Sequence, residues 1–347
     1  MLSVGCLIVF RAEFALLSAT LAFCLTYVII PQWIKVAVKR GFVGRDMNKV
    51  GNVAVAEGGG LWVAVGCTFG LYLLASLHRY LSNELIYSDD FFALTSLLLL
   101  TSLLGFMDDV LGWKKGVPVW GRILFLIPIS APLVVIKAGV STVSIPFVGV
   151  VDFGIAYPLL LVPIGVLGCA NAFNMIAGYN GLEACMGLVL MASTAIFSYV
   201  KGITLAFEAS LVMLAALLAF IRYNWYPAKV FPGNTLTYSV GAYYASIVIL
   251  GNMEKFGVML FTLYFIEFAL FIRGLKDGIY KENFGLPKSD GSLEPPYSKV
   301  YSLTHLTIKL LRKLGIKPTE VKVTLTLTLT QLFICILTIV LITKGFI

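Results

Sequence analysis

The stretch Leu103-Leu104-Gly105-Phe106-Met107-Asp108-Asp109-Val110-Leu111-Gly112-Trp113-Lys114-Lys115 decides how this chain folds. It closes an apolar run, 91–107, that is long enough as a helix to cross a bilayer core. The run stops on two adjacent carboxylates, with two lysines close behind. A helix C-terminus carries partial negative charge, so paired aspartates there are unfavourable unless a metal ion or the lysine pair compensates them. An isolated Asp-Asp pair at the exit of a span reads as a solvated loop; the rest of the chain argues for more.

Hydrophobic residues make up 59% of the chain, charged residues 13%, and mean hydropathy is +0.93, which excludes a soluble globular domain. Segments long and apolar enough to span lie near 13–32, 57–77, 91–107, 119–138, 155–173, 182–200, 203–222, 235–251, 257–273 and 322–343. The expected fold is therefore an all-α polytopic membrane protein of about ten transmembrane helices. It forms a single integral membrane domain over 1–347, in which 274–321 is a long cytoplasmic loop and the cytoplasmic loops form the active site. Lysine and arginine are retained on the cytoplasmic side. With the Asp108-Asp109 loop cytoplasmic, only Arg11, Arg79, Lys137, Lys201, Lys255 and Lys344 of the 26 basic residues fall on the other side, and both termini lie there too. The net charge of +8 is then membrane topology and implies no nucleic acid. The cysteines, Cys6, Cys24, Cys67, Cys169, Cys185 and Cys335, show no close pair and read as small apolar residues. The apolar start, 1–10, lacks a basic n-region and a small-residue cleavage site, so it is not read as a cleaved signal peptide.

The internal loops hold the remaining signals. The basic loop 32–57 carries Asp46-Met47-Asn48-Lys49 and suits a surface segment at lipid headgroups. Glu57-Gly58-Gly59-Gly60 then brings a carboxylate to membrane depth beside glycines that permit close helix packing. On the outer side, 141–152 alternates loosely around a Pro-Phe-Val-Gly turn and reads as a small hairpin. Asn171 and Asn174, three apart at the inner end of the fifth span, can offer two amide oxygens to one ligand. A tight turn between helices explains some, but not all, of the amides and glycines in 171–184. Pro232-Gly233 presents Asn234-Thr235 at a helix start, where backbone amides favour anions. The long loop 274–321 ends with Ser302-Leu303-Thr304-His305-Leu306. The last helix, rich in Thr and Leu, reads as a span alone.

Taken together, Asp46-Met47-Asn48-Lys49, Gly105-Phe106-Met107-Asp108-Asp109, the run Asn171-Ala172-Phe173-Asn174-Met175-Ile176-Ala177-Gly178-Tyr179-Asn180-Gly181 and Val230-Phe231-Pro232-Gly233-Asn234-Thr235 resemble the polyprenyl-phosphate N-acetylhexosamine-1-phosphate transferases. The resemblance is to the dolichyl-phosphate branch, in an archaeal-like form. It implies transfer of a sugar-1-phosphate, GlcNAc-1-phosphate above all, from a UDP-N-acetyl sugar to polyprenyl or dolichyl phosphate within the membrane lipid. UMP is released in this first step of lipid-linked glycan assembly, which uses Mg²⁺ or Mn²⁺ as cofactor, and a homodimer is compatible with it. By resemblance Asn174 and Asn234 are metal ligands with Asp109, while Asp108, Asp109 and Lys115 are catalytic and Lys114 is an alternative to Lys115. Met47, Glu57, Gly178, Asn180 and Phe231 match nucleotide-binding positions, the last two offering a side-chain amide and a stacking ring. Asp46, Lys49, Asn171 and His305 are further candidates.

Two departures stand out: the family usually has Asp where this chain has Asn234, and 274–321 lacks the family's Arg- and His-rich motif, His305 being its one histidine. The rival class is a transporter of lipid or nucleotide sugar, against which the sequence shows no inverted repeat and no broken midplane helix, with the polar residues gathered at one face.

Overall fold

The computed structural model describes residues 2–81, 88–112, 121, 127–145 and 149–346. The expected crossing near 119–138, the turn residues Pro146-Phe147-Val148, and both Lys114 and Lys115 lie wholly or largely outside them. Helix α1 (Leu2–Arg40) runs past Pro31, and Lys39 and Arg40 in its last turn suit the negative end of its dipole. The first inner segment is thus shorter than the expected 32–57 loop. It is also folded, as the antiparallel pair β1 (Val43–Arg45) and β2 (Ala54–Ala56).

Helices α2 (Gly60–Leu81) and α3 (Ser88–Leu111) follow, with a short α4 (Ala131–Val135) packed on α3. The outer hairpin is present as β3 (Thr142–Ile145) and β4 (Gly149–Asp152). Helix α5 (Tyr157–Met175) opens with a wide turn over Tyr157–Leu161, and α6 (Leu182–Lys201) and α7 (Thr204–Asn224) succeed it.

Helix α8 (Gly233–Leu250) is the axis of the bundle, buried from Thr235 to Ile249 between α2, α3, α5 and α7. Because α8 faces other helices rather than lipid, it can carry Thr235, Thr237, Tyr238, Ser239, Tyr243 and Tyr244 and still cross. Two glycines set its spacing. A Cβ on Gly105 would come within 2.5 Å of the Thr235 Cα, and one on Gly241 within 2.4 Å of the Cys169 carbonyl oxygen.

Helices α9 (Glu254–Leu260) and α10 (Thr262–Lys276) are bent by 57° relative to each other. The sequence carries no local signal for this bend. Its carbonyls are resolved locally: the Tyr244 hydroxyl donates to Gly257 O at 3.0 Å and Gln331 Nε2 to Leu260 O at 2.8 Å. Stacked Tyr244, Phe261 and Tyr264 rings fill the bend. An inner cap follows, with β5 (Leu286–Pro287) paired to β6 (Leu293–Glu294) and an amphipathic α11 (Leu303–Lys313), before α12 (Glu320–Thr343).

Among the described residues, seven helices are long and apolar enough to cross a membrane, or eight if α9 and α10 count as one span. The protein is an all-α polytopic membrane protein. Some polar interior groups far from the inner loops are paired, as with His78 Nε2 and Glu208 at 3.0 Å and the Tyr157 hydroxyl with Glu254. Of the described cysteines, Cys67 and Cys335 are buried, Cys24 is exposed, and all are free.

Candidate active site

The two carboxylates that end α3 meet the start of α8. Asp109 Oδ1 accepts from Asn234 N at 2.6 Å, and Oδ2 accepts from Thr235 N at 3.1 Å and Thr235 Oγ1 at 2.6 Å. The unfavourable helix end is therefore met by the positive end of another helix. Gly233 makes this contact feasible twice over. Its φ is +67°, and a Cβ would sit 2.2 Å from Asp109 Oδ2.

Asp108 faces a different set. Its Oδ2 accepts from Asn234 Nδ2 at 2.9 Å and from the Tyr238 hydroxyl at 3.4 Å. One turn along α8, Thr237 Oγ1 donates to Asn174 Oδ1 at 3.0 Å, which joins the end of α5 to the cluster. Asn171 does not join it, since its amide bonds back to Leu167 O at 2.9 Å within α5.

Glu57 borders this cluster. Its backbone carbonyl accepts from Trp33 Nε1 at 2.7 Å, and the glycines after it lie on the loop before α8: Gly59 N donates to Phe231 O at 2.9 Å and Gly60 N to Pro232 O at 3.0 Å. Burial, with the Asp109 charge adding to it, pushes the Glu57 carboxyl up to about 7. Asp108, Asp109 and Glu57 with Asn174 and Asn234 form a crowd of hard oxygens and negative charge, a donor chemistry that fits Mg²⁺ or Mn²⁺. No group of three His, Cys, Asp or Glu among the described residues forms a ready cage, so a cation here would take amide and carboxylate oxygens together with ligand phosphates.

A second network lies beside the first. Asn48 Nδ2 donates to Gly178 O at 2.8 Å, and Gly178 N donates to Glu183 Oε1 at 2.7 Å. Asn180 has its whole side-chain amide engaged: Nδ2 donates to Asp46 Oδ2 at 3.1 Å and Glu320 Oε1 at 2.7 Å, while Oδ1 accepts from Ala228 N at 2.6 Å. In this structure Asn180 braces its turn rather than offering a free amide. Lys49 pairs with Asp46 at 2.9 Å and with Glu320, and lies over the Tyr226 ring. Burial works against its charge, but the two carboxylates outweigh burial and raise its pKa. Met47, between the fixed Asp46 and Asn48, and Phe231 are half-buried.

The long loop touches the site through residues that the sequence did not single out. Asn283 Nδ2 donates to Met175 O and Ala177 O, both at 2.7 Å, while Lys281 reaches Met175 O at 3.1 Å and pairs with buried Glu267. His305, one of the further candidates, is fully buried against the Tyr297 ring. Burial and the Lys281 charge hold its pKa down to about 4, so it is a neutral core residue of the cap.

Residues 91–252 match the model of glycosyl transferase family 4. A protein of Saccharolobus solfataricus, provisionally named a UDP-N-acetylglucosamine–dolichyl-phosphate N-acetylglucosaminephosphotransferase, is 34% identical over 85% of this chain and 88% of its own length. The chain belongs to this family. Two more distant relatives carry related names. The Schizosaccharomyces pombe UDP-N-acetylglucosamine–dolichyl-phosphate N-acetylglucosaminephosphotransferase is 29% identical over 85% of this chain and 77% of its own. A Bacillus subtilis protein named as a probable undecaprenyl-phosphate N-acetylglucosaminyl 1-phosphate transferase is 29% identical over 69% and 63%. The segment matched by the glycosyl transferase family 4 model holds Asp108, Asp109, Asn174 and Asn234, but neither the Asp46–Lys49 segment nor Glu320.

Proposed function

We propose that the protein transfers GlcNAc-1-phosphate from UDP-GlcNAc to a polyprenyl or dolichyl phosphate, giving a lipid-pyrophosphate-linked sugar and UMP. The observation that carries this reading is the convergence of Asp108, Asn234, Thr237 and Asn174 at one end of α3, α5 and α8. In this reaction an oxygen of the acceptor phosphate attacks the β-phosphorus of UDP-GlcNAc, the bond from that phosphorus to the bridging oxygen breaks, and UMP leaves. A phosphate monoester is largely ionised at neutral pH, so Asp108 orients and balances charge and need not remove a proton. Asn174, Asn234 and Asp108 would hold Mg²⁺, which supplies charge neutralisation between the two phosphates. Asp109 holds the start of α8 in place for them. Lys115 or Lys114 is assigned to the pyrophosphate, and Met47, Glu57, Phe231 and the 178–180 turn to the nucleotide. Release of UMP that needs both polyprenyl phosphate and Mg²⁺ is the expected result with purified protein; no UMP in their presence refutes the reading.

The active-site end is assigned to the cytoplasm and both termini to the other side, with ten crossings. These comprise the seven apolar helices, the α9–α10 pair, buried α8, and the crossing expected near 119–138, which lies largely outside the described residues. In a cysteine-free background, cysteines at positions 141 and 289 should react with a membrane-impermeant maleimide from opposite sides. Labelling from the same side contradicts this topology.

Asn234 replaces the family's usual aspartate with an amide that donates to Asp108. An aspartate there would face Asp108 with like charge until a cation sits between them. Asn234→Asp should therefore lower the half-saturating Mg²⁺ concentration by about tenfold and lower the melting temperature in chelator. Superimposable Mg²⁺ titrations of wild type, Asn234→Asp and Asn234→Ala would remove Asn234 from the ligand set. The rival transporter reading gains only the bend at Phe261, whose carbonyls are bonded to Tyr244 and Gln331.

A further inference from the structure

We propose that Glu320, with Thr324 one turn further along α12, is a positioning residue for the nucleotide half of the site, fixing the 178–180 turn and the Met47 segment in one register. This rests on the reaction proposed above. The sequence gives α12 no role beyond crossing, yet its first turn carries a carboxylate that is only 3% exposed. Thr319 caps the helix by accepting from Lys322 N at 3.4 Å, which leaves the Glu320 side chain for other partners.

Those partners all lie in loops that carry the site. Glu320 Oε1 accepts from Asn180 N and Asn180 Nδ2, both at 2.7 Å, and Oε2 accepts from the Lys49 ammonium. Thr324 Oγ1 donates to Asn180 O at 3.3 Å. One helix thus grips Asn180 at its backbone N–H, its backbone carbonyl and its side chain, while Ala228 N takes the remaining oxygen. Asp46 closes the ring by accepting from Lys49 and Asn180. Met47 sits between Asp46 and Asn48, and Asn48 in turn bonds Gly178 O and accepts from Gly285 N at 3.0 Å.

An apolar residue would serve a span better than a carboxylate, whose burial is costly unless hydrogen bonds and a cation repay it. Here they come from Asn180 and Lys49. Removing Glu320 frees both at once, leaving Lys49 to Asp46 alone and the Asn180 N–H unpaired. The bonds among Asp108, Asn234, Thr237 and Asn174 do not pass through Glu320. Nucleotide binding should therefore weaken while acceptor binding holds, a split that general loosening of the fold would not produce.

The test uses full-length wild type, Glu320→Ala, Glu320→Gln and Thr324→Val in lipid nanodiscs, with UDP binding measured by calorimetry and KM measured separately for UDP-GlcNAc and polyprenyl phosphate. Glu320→Ala should raise the UDP Kd and the UDP-GlcNAc KM about tenfold, with the polyprenyl phosphate KM within about twofold of wild type. Glu320→Gln should recover part of the loss, because its carbonyl still accepts from Asn180 N. Thr324→Val should move the same two constants about threefold, and it decides the matter if Glu320→Ala fails to fold. An unchanged UDP Kd, or equal movement of both KM values, overturns the positioning role. Wild-type protein that releases no UMP refutes the reaction instead, and UDP binding alone then judges Glu320.

Discussion

Asp108→Asn is expected to cut UMP release by about 100- to 1000-fold while the melting temperature stays close to that of wild type. The replacement keeps an oxygen that can accept from Asn234 Nδ2 and the Tyr238 hydroxyl, so the helix ends remain joined. It removes the charge that a cation and the transferring phosphate need. Asp109→Asn should behave differently. Both Asp109 oxygens accept, and an amide would turn one of its donors against an N–H at the start of α8. Loss of about 1–3 kcal/mol of stability should therefore accompany loss of activity. Parallel rate and melting measurements on the two variants separate a charge at the chemistry from a brace beneath it. Full activity in Asp108→Asn, or equal destabilisation by both, contradicts the division of roles.

Lys281→Met should be the most destabilising single change in the inner cap. Glu267 is fully buried, and its carboxylate accepts from Leu303 N at 2.7 Å and pairs with Lys281, whose ammonium also holds Met175 O and Asn283 Oδ1. Removing the cation strands a buried carboxylate, at a cost of about 3–5 kcal/mol. The double variant Lys281→Met with Glu267→Gln should recover part of that loss, because the amide oxygen can still accept from Leu303 N. Melting curves of the detergent-purified proteins check both statements. A single variant with a wild-type melting temperature would show that the pair is dispensable.

The seven apolar spans could be read from hydropathy because their outer faces meet lipid, and the inner loops could be read because charge and amides accumulate there. The α3 end at Asp108-Asp109 was visible as an electrostatic conflict. Its resolution was not, since the compensating amides of Asn234 and Thr235 lie 125 and 126 residues further along the chain. Asn174 was found through its spacing from Asn171, yet spacing could not say that Asn171 turns back on α5 while Asn174 meets Thr237.

The bend at Phe261 carries no proline at the break, and its bonding depends on Tyr244 and Gln331 from other helices, so no local pattern announces it. Glu320 and Lys281 were missed for a related reason. Each is a single charged residue whose meaning lies in partners distant in sequence, Asn180 and Lys49 for one and Glu267 for the other. A lone carboxylate in the first turn of a span was the available signal for Glu320.

The most direct test of the proposed chemistry follows the β-phosphate. Purified protein in nanodiscs is given UDP-GlcNAc labelled with ³²P at that position, polyprenyl phosphate and Mg²⁺, and the lipid and nucleotide products are separated. Transfer of sugar-1-phosphate predicts that the label moves into an organic-soluble lipid in equal amount with unlabelled UMP. Label retained in UDP, or in unreacted UDP-GlcNAc with no UMP formed, contradicts it.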